Sequence, residues 1–339
     1  MRTLEELETR LAEPSEGLVE DLAALSGDII VIGAGGKLGP SLVRLAANAS
    51  RASGASRRIV AVSRFGSPGA EERLQGPGIR TVAADVTDER ALAELPDAEN
   101  VVYLVGEKFG STQSAASTWA TNAYLPGRIA ERFAGARISA LSTGTVYPMV
   151  AAESGGCTEE AAVAPVGDYA MSCVGRERIL THFAARTGSP LALIRLNYAV
   201  EMRYGILIDL ATMILEGTPI DLSMPAANVV WQGYANEVTL RSLLHAAPAS
   251  PFVINVTGPE TVSIRYAASR LAERLGRDVN FRGEESQVAF LSNAAKCFGL
   301  FGYPSVTLDA LIDATADWIA AGGATHGKPT KFQTSDGRF

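Results

Sequence analysis

Four glycines fall within seven positions of this chain, Gly33, Gly35, Gly36 and Gly39, with Lys37 and Leu38 set between the last two. They follow directly on the apolar run Ile29-Ile-Val-Ile32 and lead into Pro40 and a helical pattern. A loop of this composition between a buried strand and a helix suits a phosphate ester. Gly33 permits a tight turn out of the strand, Gly36 lets backbone approach a pyrophosphate, and Gly39 lets the helix pack close to the strand. The N–H groups and positive dipole end of the helix face the anion. The implied ligand is a nicotinamide dinucleotide, its pyrophosphate over Gly33 to Gly39. A glycine-rich loop of no function is the competing reading, and the strand–loop–helix context weighs against it. No GxxxxGK[ST] pattern occurs at the loop, which excludes a P-loop ATPase.

The adenosine end would meet the next strand ends. The second strand closes on Ser63 and Arg64 with no acid to bond ribose hydroxyls. An arginine there accepts a 2′-phosphate, which favours NADP, with NAD as the alternative. Arg64 could equally stack on adenine or be solvated. Asp85 and Val86 follow the third strand, where the carboxylate can meet the adenine amino group or cap a helix. Val105, Gly106 and Lys108 follow the fourth strand, whose carboxyl end borders cofactor and substrate in such a sheet.

The elements that must position these residues are legible as apolar runs. Asp28–Gly33, Arg58–Ser63, Ile79–Ala84, Asn100–Val105, Arg137–Ser142 and Leu191–Leu196 read as strands, mostly separated by helical segments. Runs of this kind suit strands buried on both faces. Their alternation with helices implies βαβ units: an α/β fold with a doubly wound parallel Rossmann sheet. After Val200 short apolar stretches, 229–231 and 252–256, sit among helices near 264–275, 287–298 and 308–321. This reads as a smaller mixed α/β C-terminal substrate lobe closing over the sheet's carboxyl edge. The expected organisation is a helical extension (1–27), the Rossmann domain (28–200), the lobe (201–321, interleaved with it) and a polar, loosely structured tail (322–339).

Composition narrows the class. The 339 residues are 47% hydrophobic and 20% charged, enough apolar material for a sizeable core. Net charge is −7, from 37 acidic and 30 basic residues without basic runs, which argues against a nucleic-acid partner. Three scattered cysteines and three separated histidines give no disulfide framework and no metal-ligand spacing. The acidic N-terminus has no apolar core of a signal peptide and no run spans a bilayer, so no membrane partner and a cytoplasmic location are expected.

Further motifs carry a resemblance. Gly33-xx-Gly36-xx-Gly39, Leu141-Ser-Thr-Gly-Thr-Val-Tyr147, Glu159-Glu160, Pro165, Tyr169, Glu177 and Val256-Thr-Gly-Pro259 occur in that order. From about Asp28 to Trp318 the chain resembles the extended short-chain dehydrogenase/reductase superfamily, in its NAD-dependent epimerase/dehydratase branch. The resemblance implies Thr143 as the hydroxyl beside the substrate, Tyr169 as the catalytic tyrosine, and Asn122 as the asparagine of the preceding helix. It also implies a dimer through helices near 114–133 and 168–187, with Trp119 and Tyr124 on that face. The departure is Cys173, four residues after Tyr169, where the branch has lysine. Positions four apart share a helix face. A lysine there bonds the nicotinamide ribose and lowers the tyrosine pKa from about 10. Cysteine supplies no charge; it acts as a small buried hydrophobe or as a reactive thiol. Lys108 is the expected compensating cation or an anchor for a substrate carboxylate or phosphate, against a solvated loop lysine. Arg176 shares the helix face of Tyr169 but lies two turns away. Asn197, Tyr198, Arg203, Trp231 and Gln232 are weaker candidates for the substrate lobe.

Two functions follow. One is an NAD(P)-dependent oxidoreductase of the epimerase/dehydratase type, acting by hydride transfer on a sugar, sugar acid or nucleotide sugar. Gly144-Thr145 after Thr143, in place of an Asp-Glu pair, counts against a dehydratase. The other is a non-catalytic NAD(P)-binding sensor or regulator with a degenerate site.

Overall fold

The computed structural model describes residues 1–108, 111 and 113–338; Phe109 and Gly110, which follow Lys108, lie outside them. Seven strands form the central sheet: β1 Ile29–Ile32, β2 Ile59–Ser63, β3 Ile79–Ala83, β4 Asn100–Tyr103, β5 Arg137–Thr143, β6 Leu191–Leu196 and β7 Phe252–Val256. Their order is β7-β6-β5-β4-β1-β2-β3 and every neighbouring pair is parallel. β1 and β4 are buried along their whole length, as the apolar runs Ile29–Ile32 and Val101–Tyr103 require. From β1 the chain builds outward to β2 and β3, then returns to β4 on the other side. The loops after β1 and β4 therefore diverge and open a crevice between them.

Helices cover both faces. On one side Glu16–Ala24 (α2 after α1, Leu4–Leu11), Gly39–Ala52 (α3) and, from the C-terminal half, Gln232–His245 pack on the sheet; Leu18, Leu42, Leu45, Leu240 and Leu243 interdigitate there with Ile29 and Val31. On the other side lie Glu89–Ala93 (α4), the helical stretch Ala115–Trp119 (α5) to Leu125–Arg132 (α6), and Gly167–Thr187 (α7). α5 and α6 are joined by a π-helical turn, Ala120–Tyr124, not by the uninterrupted helix expected from 114 to 133. Ile206–Glu216 (α8), Gln232–His245 (α9), Ile264–Leu275 (α10), Ala295–Phe301 (α11) and Leu308–Ala320 (α12) build a second core with Trp231, Leu271, Ile312 and Trp318. No helix among the described residues is long and apolar enough to cross a membrane.

Two expectations for the C-terminal half are corrected. Residues 287–294 are not helical: Val288–Ala289 pairs antiparallel with Val150–Ala151, and the helix begins only at Ala295, whose N–H the Asn293 side chain accepts at 2.9 Å. Consecutive Ala289, Phe290 and Leu291 are all buried, which a helix with one apolar face cannot satisfy. The tail from Gly322 has no helix or strand, yet it is not loose. Thr330 and Phe332 are each 2% exposed, the Trp318 indole donates to Ala324 O at 3.1 Å, and the His326 N–H donates to Arg203 O at 2.9 Å.

The N-terminal helices are part of the packing. Thr3 and Glu6 form a reciprocal capping box on α1, and Ser15 caps α2. Asp21 pairs with Arg241 at 2.6 Å and Ser15 donates to Glu237 at 2.5 Å, both on α9. Leu18 is fully buried while Leu4 is 52% exposed. Leu18→Ala is expected to cost about 2–5 kcal/mol, read as a lowered denaturation midpoint, whereas Leu4→Ala leaves it within about 0.5 kcal/mol. Equal, small effects would mean that α2 is not integral to the fold.

Candidate active site

The floor of the crevice is the glycine turn. Gly33 takes φ +95, a conformation that glycine adopts without strain. Its N–H and that of Ala34 both donate to Val62 O at 3.0 Å, tying the turn to β2. A Cβ on Gly39 would lie 2.3 Å from Ala34 O, so only glycine lets α3 start this close to the turn. A Cβ on Gly35 would lie 2.4 Å from the Ser63 hydroxyl oxygen. Gly35 and Gly36 are exposed, Leu38 is half-buried, and the Gly36 N–H closes the turn on Gly33 O at 3.0 Å. Behind the turn Gln232 donates to Ser41 at 3.0 Å and to Lys37 O at 3.5 Å, so this buried residue buttresses the loop. The Lys37 ammonium sits 3.5 Å from the centroid of the Tyr204 ring. Burial, followed by the nearby Lys328 charge, brings it down to about 8, against the opposing pull of Asp209.

Where β2 and β3 end, Arg64 faces Asp85 at 3.9 Å, and both are exposed. Asp85 accepts the Thr87 hydroxyl at 2.7 Å and its N–H at 3.0 Å; these bonds, more than Arg64, hold its carboxyl below the usual range. The cap of α4 is Asp88 instead. Val86 is buried beneath.

The residues expected to be catalytic gather at the ends of β4 and β5 and on α7. Thr143 is 7% exposed, and its hydroxyl oxygen accepts the Thr145 N–H at 3.3 Å. The Tyr169 hydroxyl, from the first turn of α7, lies close enough to Thr143 and Cys173 for both to act on its ionisation. Burial drives the Tyr169 phenol far above its ordinary value; Cys173 adds to this and Arg176 opposes it. Cys173 is 1% exposed among Val146, Tyr147, Cys157 and Val174, and burial pushes its thiol up. Its surroundings are those of a small hydrophobe, not of an activated thiolate. The Lys108 ammonium stands 5.8 Å from the ring centroids of both Tyr169 and Tyr198 and donates to Thr330 O at 3.2 Å. Burial, then the charge of Lys37, lowers it to about 8, while Cys173 and Asp209 pull it back up. Thr143, Tyr169, Cys173, Lys108, Lys37, Val105 and Gly106 thus converge on one region, with Ser63, Arg64, Asp85 and Val86 at the far end of the crevice.

Asn122 organises the support. It lies on the π-turn, fully buried; its side-chain oxygen accepts the Glu107 N–H at 2.8 Å, and its amide donates to Glu107 O at 2.8 Å and to Ser172 at 3.0 Å. Arg176 completes it. Buried at 4% exposure, its guanidinium donates to Asn122 Oδ1 at 2.8 Å, Asn122 O at 3.2 Å and Leu141 O at 2.7 Å. These are neutral acceptors, and Arg176 makes no ion pair among the described residues. A Cβ on Gly106 would lie 2.9 Å from this guanidinium. The seven-residue spacing from Tyr169 placed Arg176 on the right face; the length of its side chain supplies the reach.

The other candidates make the following contacts. Glu177 takes a two-pronged bond from Arg195 (3.0 and 2.7 Å) and one from Ser142 at 2.5 Å; Arg195 also reaches the Tyr147 hydroxyl at 2.7 Å. Asn197 donates to Ser292 and fills the space a Cβ on Gly144 would need. Arg203 pairs with Glu201 and Glu8, and Trp231 is buried in the lobe core. Asp209 was missed. It comes from α8, accepts the Thr330 N–H at 2.7 Å and hydroxyl at 2.5 Å, and is held above the usual carboxylate range by burial. Its signal was a single acid inside the otherwise uncharged stretch from Ile206 to Leu215.

With this geometry in view, comparisons add the following. The NAD dependent epimerase/dehydratase family matches residues 29–200. UDP-glucuronic acid 4-epimerase from Bacillus cereus, solved with UDP-glucuronic acid and NAD, is 19% identical with a TM-score of 0.70, over 86% of this chain and 98% of that one. A UDP-galactose 4-epimerase is 20% identical with a TM-score of 0.69, over 87% and 99%. UDP-glucose 4-epimerase from Thermotoga maritima, solved with UDP-glucose, is 16% identical with a TM-score of 0.67, over 86% and 98%. At these identities the likeness is one of fold. No curated protein sequence matches the chain.

The turn gives a direct test. Gly39→Ala forces its methyl onto the backbone oxygen of Ala34 and is expected to destabilise by about 1–3 kcal/mol and to weaken dinucleotide binding. Denaturation and NAD(P)H fluorescence titration check both; wild-type values in both would mean that the close helix approach is unimportant.

Proposed function

Because the chain belongs to the NAD dependent epimerase/dehydratase family, we propose that it is a nicotinamide-dependent oxidoreductase that transfers hydride to and from a sugar, sugar acid or nucleotide sugar. The observation that carries this reading is the Tyr169–Thr143 hydroxyl pair beside Lys108, at the mouth of a crevice floored by exposed Gly35 and Gly36. The crevice fits a dinucleotide. Gly33, Gly35, Gly36, Lys37, Leu38 and Gly39 would hold the pyrophosphate. Ser63, Arg64, Asp85 and Val86 would hold the adenosine, and Val105, Gly106, Asn122 and Cys173 would flank the nicotinamide half. The cofactor would supply a hydride acceptor. Thr143 and Tyr169 would share the substrate hydroxyl, and Tyr169 would take its proton. Lys108 would offset the burial that disfavours the phenolate, since a nearby cation stabilises it.

Arg64 supports NADP over NAD. A 2′-phosphate would draw Arg64 from Asp85, an exposed contact at 3.9 Å worth little by itself. Thermal-shift titration is expected to favour NADP by a few-fold in affinity, and Arg64→Ala to erase the difference. An unchanged preference in the variant would remove Arg64 from the cofactor site.

The pH dependence has a definite sign. Lys108 carries its charge below about 8 and loses it as pH rises through that value. Turnover of the active substrate is therefore expected to fall above about pH 8. Lys108→Ala should lower kcat by about 100-fold or more at pH 7, with the neutral, isosteric Cys173→Ser changing it little. A gain of activity in Cys173→Lys with Lys108→Ala unaffected would transfer the role back to position 173.

A specific observation favours a second reading. Tyr169 is strongly biased to its neutral phenol and Cys173 adds no charge, as in a protein that binds dinucleotide without turning it over. Bound NADP with no reduction across a panel of sugars, sugar acids and nucleotide sugars would favour it. Trp119 (39% exposed), Tyr124 (64%) and Met171 (45%), on the helices α5 to α7, support a homodimer through this face.

A further inference from the structure

Arg176 is 4% exposed, yet its charge lies directly behind the wall of the crevice. Gly106, in the loop after β4, is exposed, and a Cβ on it would lie 2.9 Å from the guanidinium. The guanidinium therefore packs against solvent-exposed backbone of that loop. It is fixed there by three donated bonds, to Asn122 Oδ1 at 2.8 Å, Asn122 O at 3.2 Å and Leu141 O at 2.7 Å. Asn122 is itself bonded to the N–H and the carbonyl of Glu107, so the loop, the π-turn and the guanidinium form one bonded unit.

All of these acceptors are neutral. The neighbouring carboxylates are engaged elsewhere: Glu177 with Arg195 at 2.7 Å, and Glu107 with the hydroxyls of Ser117 at 3.0 Å and Thr121 at 3.3 Å. Phe109, Gly110 and Thr112, the loop positions outside the described residues, bring no charged side chain. Among the described residues the guanidinium thus has no ion-pair partner. Its field reaches the site, since it counteracts the effect of burial at both Tyr169 and Cys173. Of the residues proposed to flank the nicotinamide half, Asn122 is bonded to it and Gly106 packs against it. The oxidised nicotinamide ring carries a positive charge and the reduced ring is neutral. A fixed cation with little water around it disfavours the first and not the second.

We propose that Arg176 biases the dinucleotide site towards the reduced cofactor, so that NAD(P)H binds more tightly than NAD(P)+ and the bound oxidised form becomes the stronger hydride acceptor. Taking a hydride, two electrons with one proton, from a substrate C–H bond removes the charge of the ring, and the repulsion ends with it. Lys37 and Lys108 add charge to the same region, but a guanidinium stays charged at any working pH. This rests on the dinucleotide crevice of the proposed function and adds the redox form that the crevice favours.

The test measures dissociation constants of both redox forms on the full chain at neutral pH, NADPH by its fluorescence and NADP+ by competition, with NADH and NAD+ as a second pair. Each ratio compares two ligands with the same adenosine end, so any contribution of Arg64 cancels. The reduced form is expected to bind about tenfold more tightly or better. A tenfold ratio places the potential of the bound couple about 30 mV above that of the free couple. Arg176→Gln, neutral but still able to donate to Asn122, should shrink the ratio by about threefold or more, and Arg176→Lys should keep it. An arginine needed only for packing would weaken both forms alike; an unchanged ratio in Arg176→Gln therefore overturns the inference. Equal or tighter binding of the oxidised form by the wild type overturns it too, and this measurement decides even where Arg176→Gln does not fold. Failure of all four dinucleotides to bind would instead overturn the dinucleotide reading.

Discussion

The buried contact between Arg176 and Asn122 ties together the segments that carry Thr143, Tyr169 and Lys108. Through it α7 is bonded to the π-turn and, by Leu141 O, to β5, while Asn122 holds the backbone of the β4 loop at Glu107. Burying a guanidinium costs several kcal/mol unless its hydrogen bonds are made. Here they go to carbonyl oxygens, so the arrangement keeps a net positive charge under the crevice. The geometry of the β4 loop follows: Gly106 must lack a side chain because the guanidinium fills that space. The π-turn follows too, since its extra residue per turn lets Asn122 face inward while Trp119 and Tyr124 remain exposed.

That charge bears on the departure at Cys173. A lysine four residues after Tyr169 would sit on the same face as Arg176, three residues further along the helix. Two buried cations so close would repel with little water to screen them. The chain instead has a neutral thiol at that position, a guanidinium beneath it, and an ammonium reaching the tyrosine ring from the β4 loop. The positive charge near Tyr169 is thus distributed among elements, not concentrated on one helix.

What could be read from the sequence divides along the same line. The strands were legible because β1, β2, β4 and β6 are predominantly apolar runs whose burial on both faces is a local property of composition. The glycine turn was legible because its constraints act within seven residues. Residues 287–294 misled because Val288 and Ala289 owe their conformation to Val150 and Ala151, far away in the chain. The tail misled for the same reason: a polar segment is loose by composition, and only Asp209, 121 residues earlier, reveals what Thr330 is for. Lys108 was identifiable as a charge after the fourth strand, but its place above Tyr169 depends on β4 and β5 being neighbours. Arg176 was on the right face by spacing, and its importance depends on acceptors from two other elements.

The docking of α1 and α2 also bears on how the chain is made. Asp21 meets Arg241 across 220 residues of sequence, and Leu18 and Leu22 share their core with Leu240 and Leu243. At about 5–20 residues per second, a ribosome needs roughly 11 to 44 seconds to deliver α9 after α2 has emerged. For that interval two amphipathic helices are outside the tunnel with part of their apolar faces uncovered. Both carry side-chain caps at their N-termini and several acidic residues, which bias each first turn towards helix and keep the exposed segment solvated; at 8 and 9 residues neither helix persists without its packing. The cover of α1 and α2 is therefore completed only when α9 arrives, and their acidity suits segments that must wait.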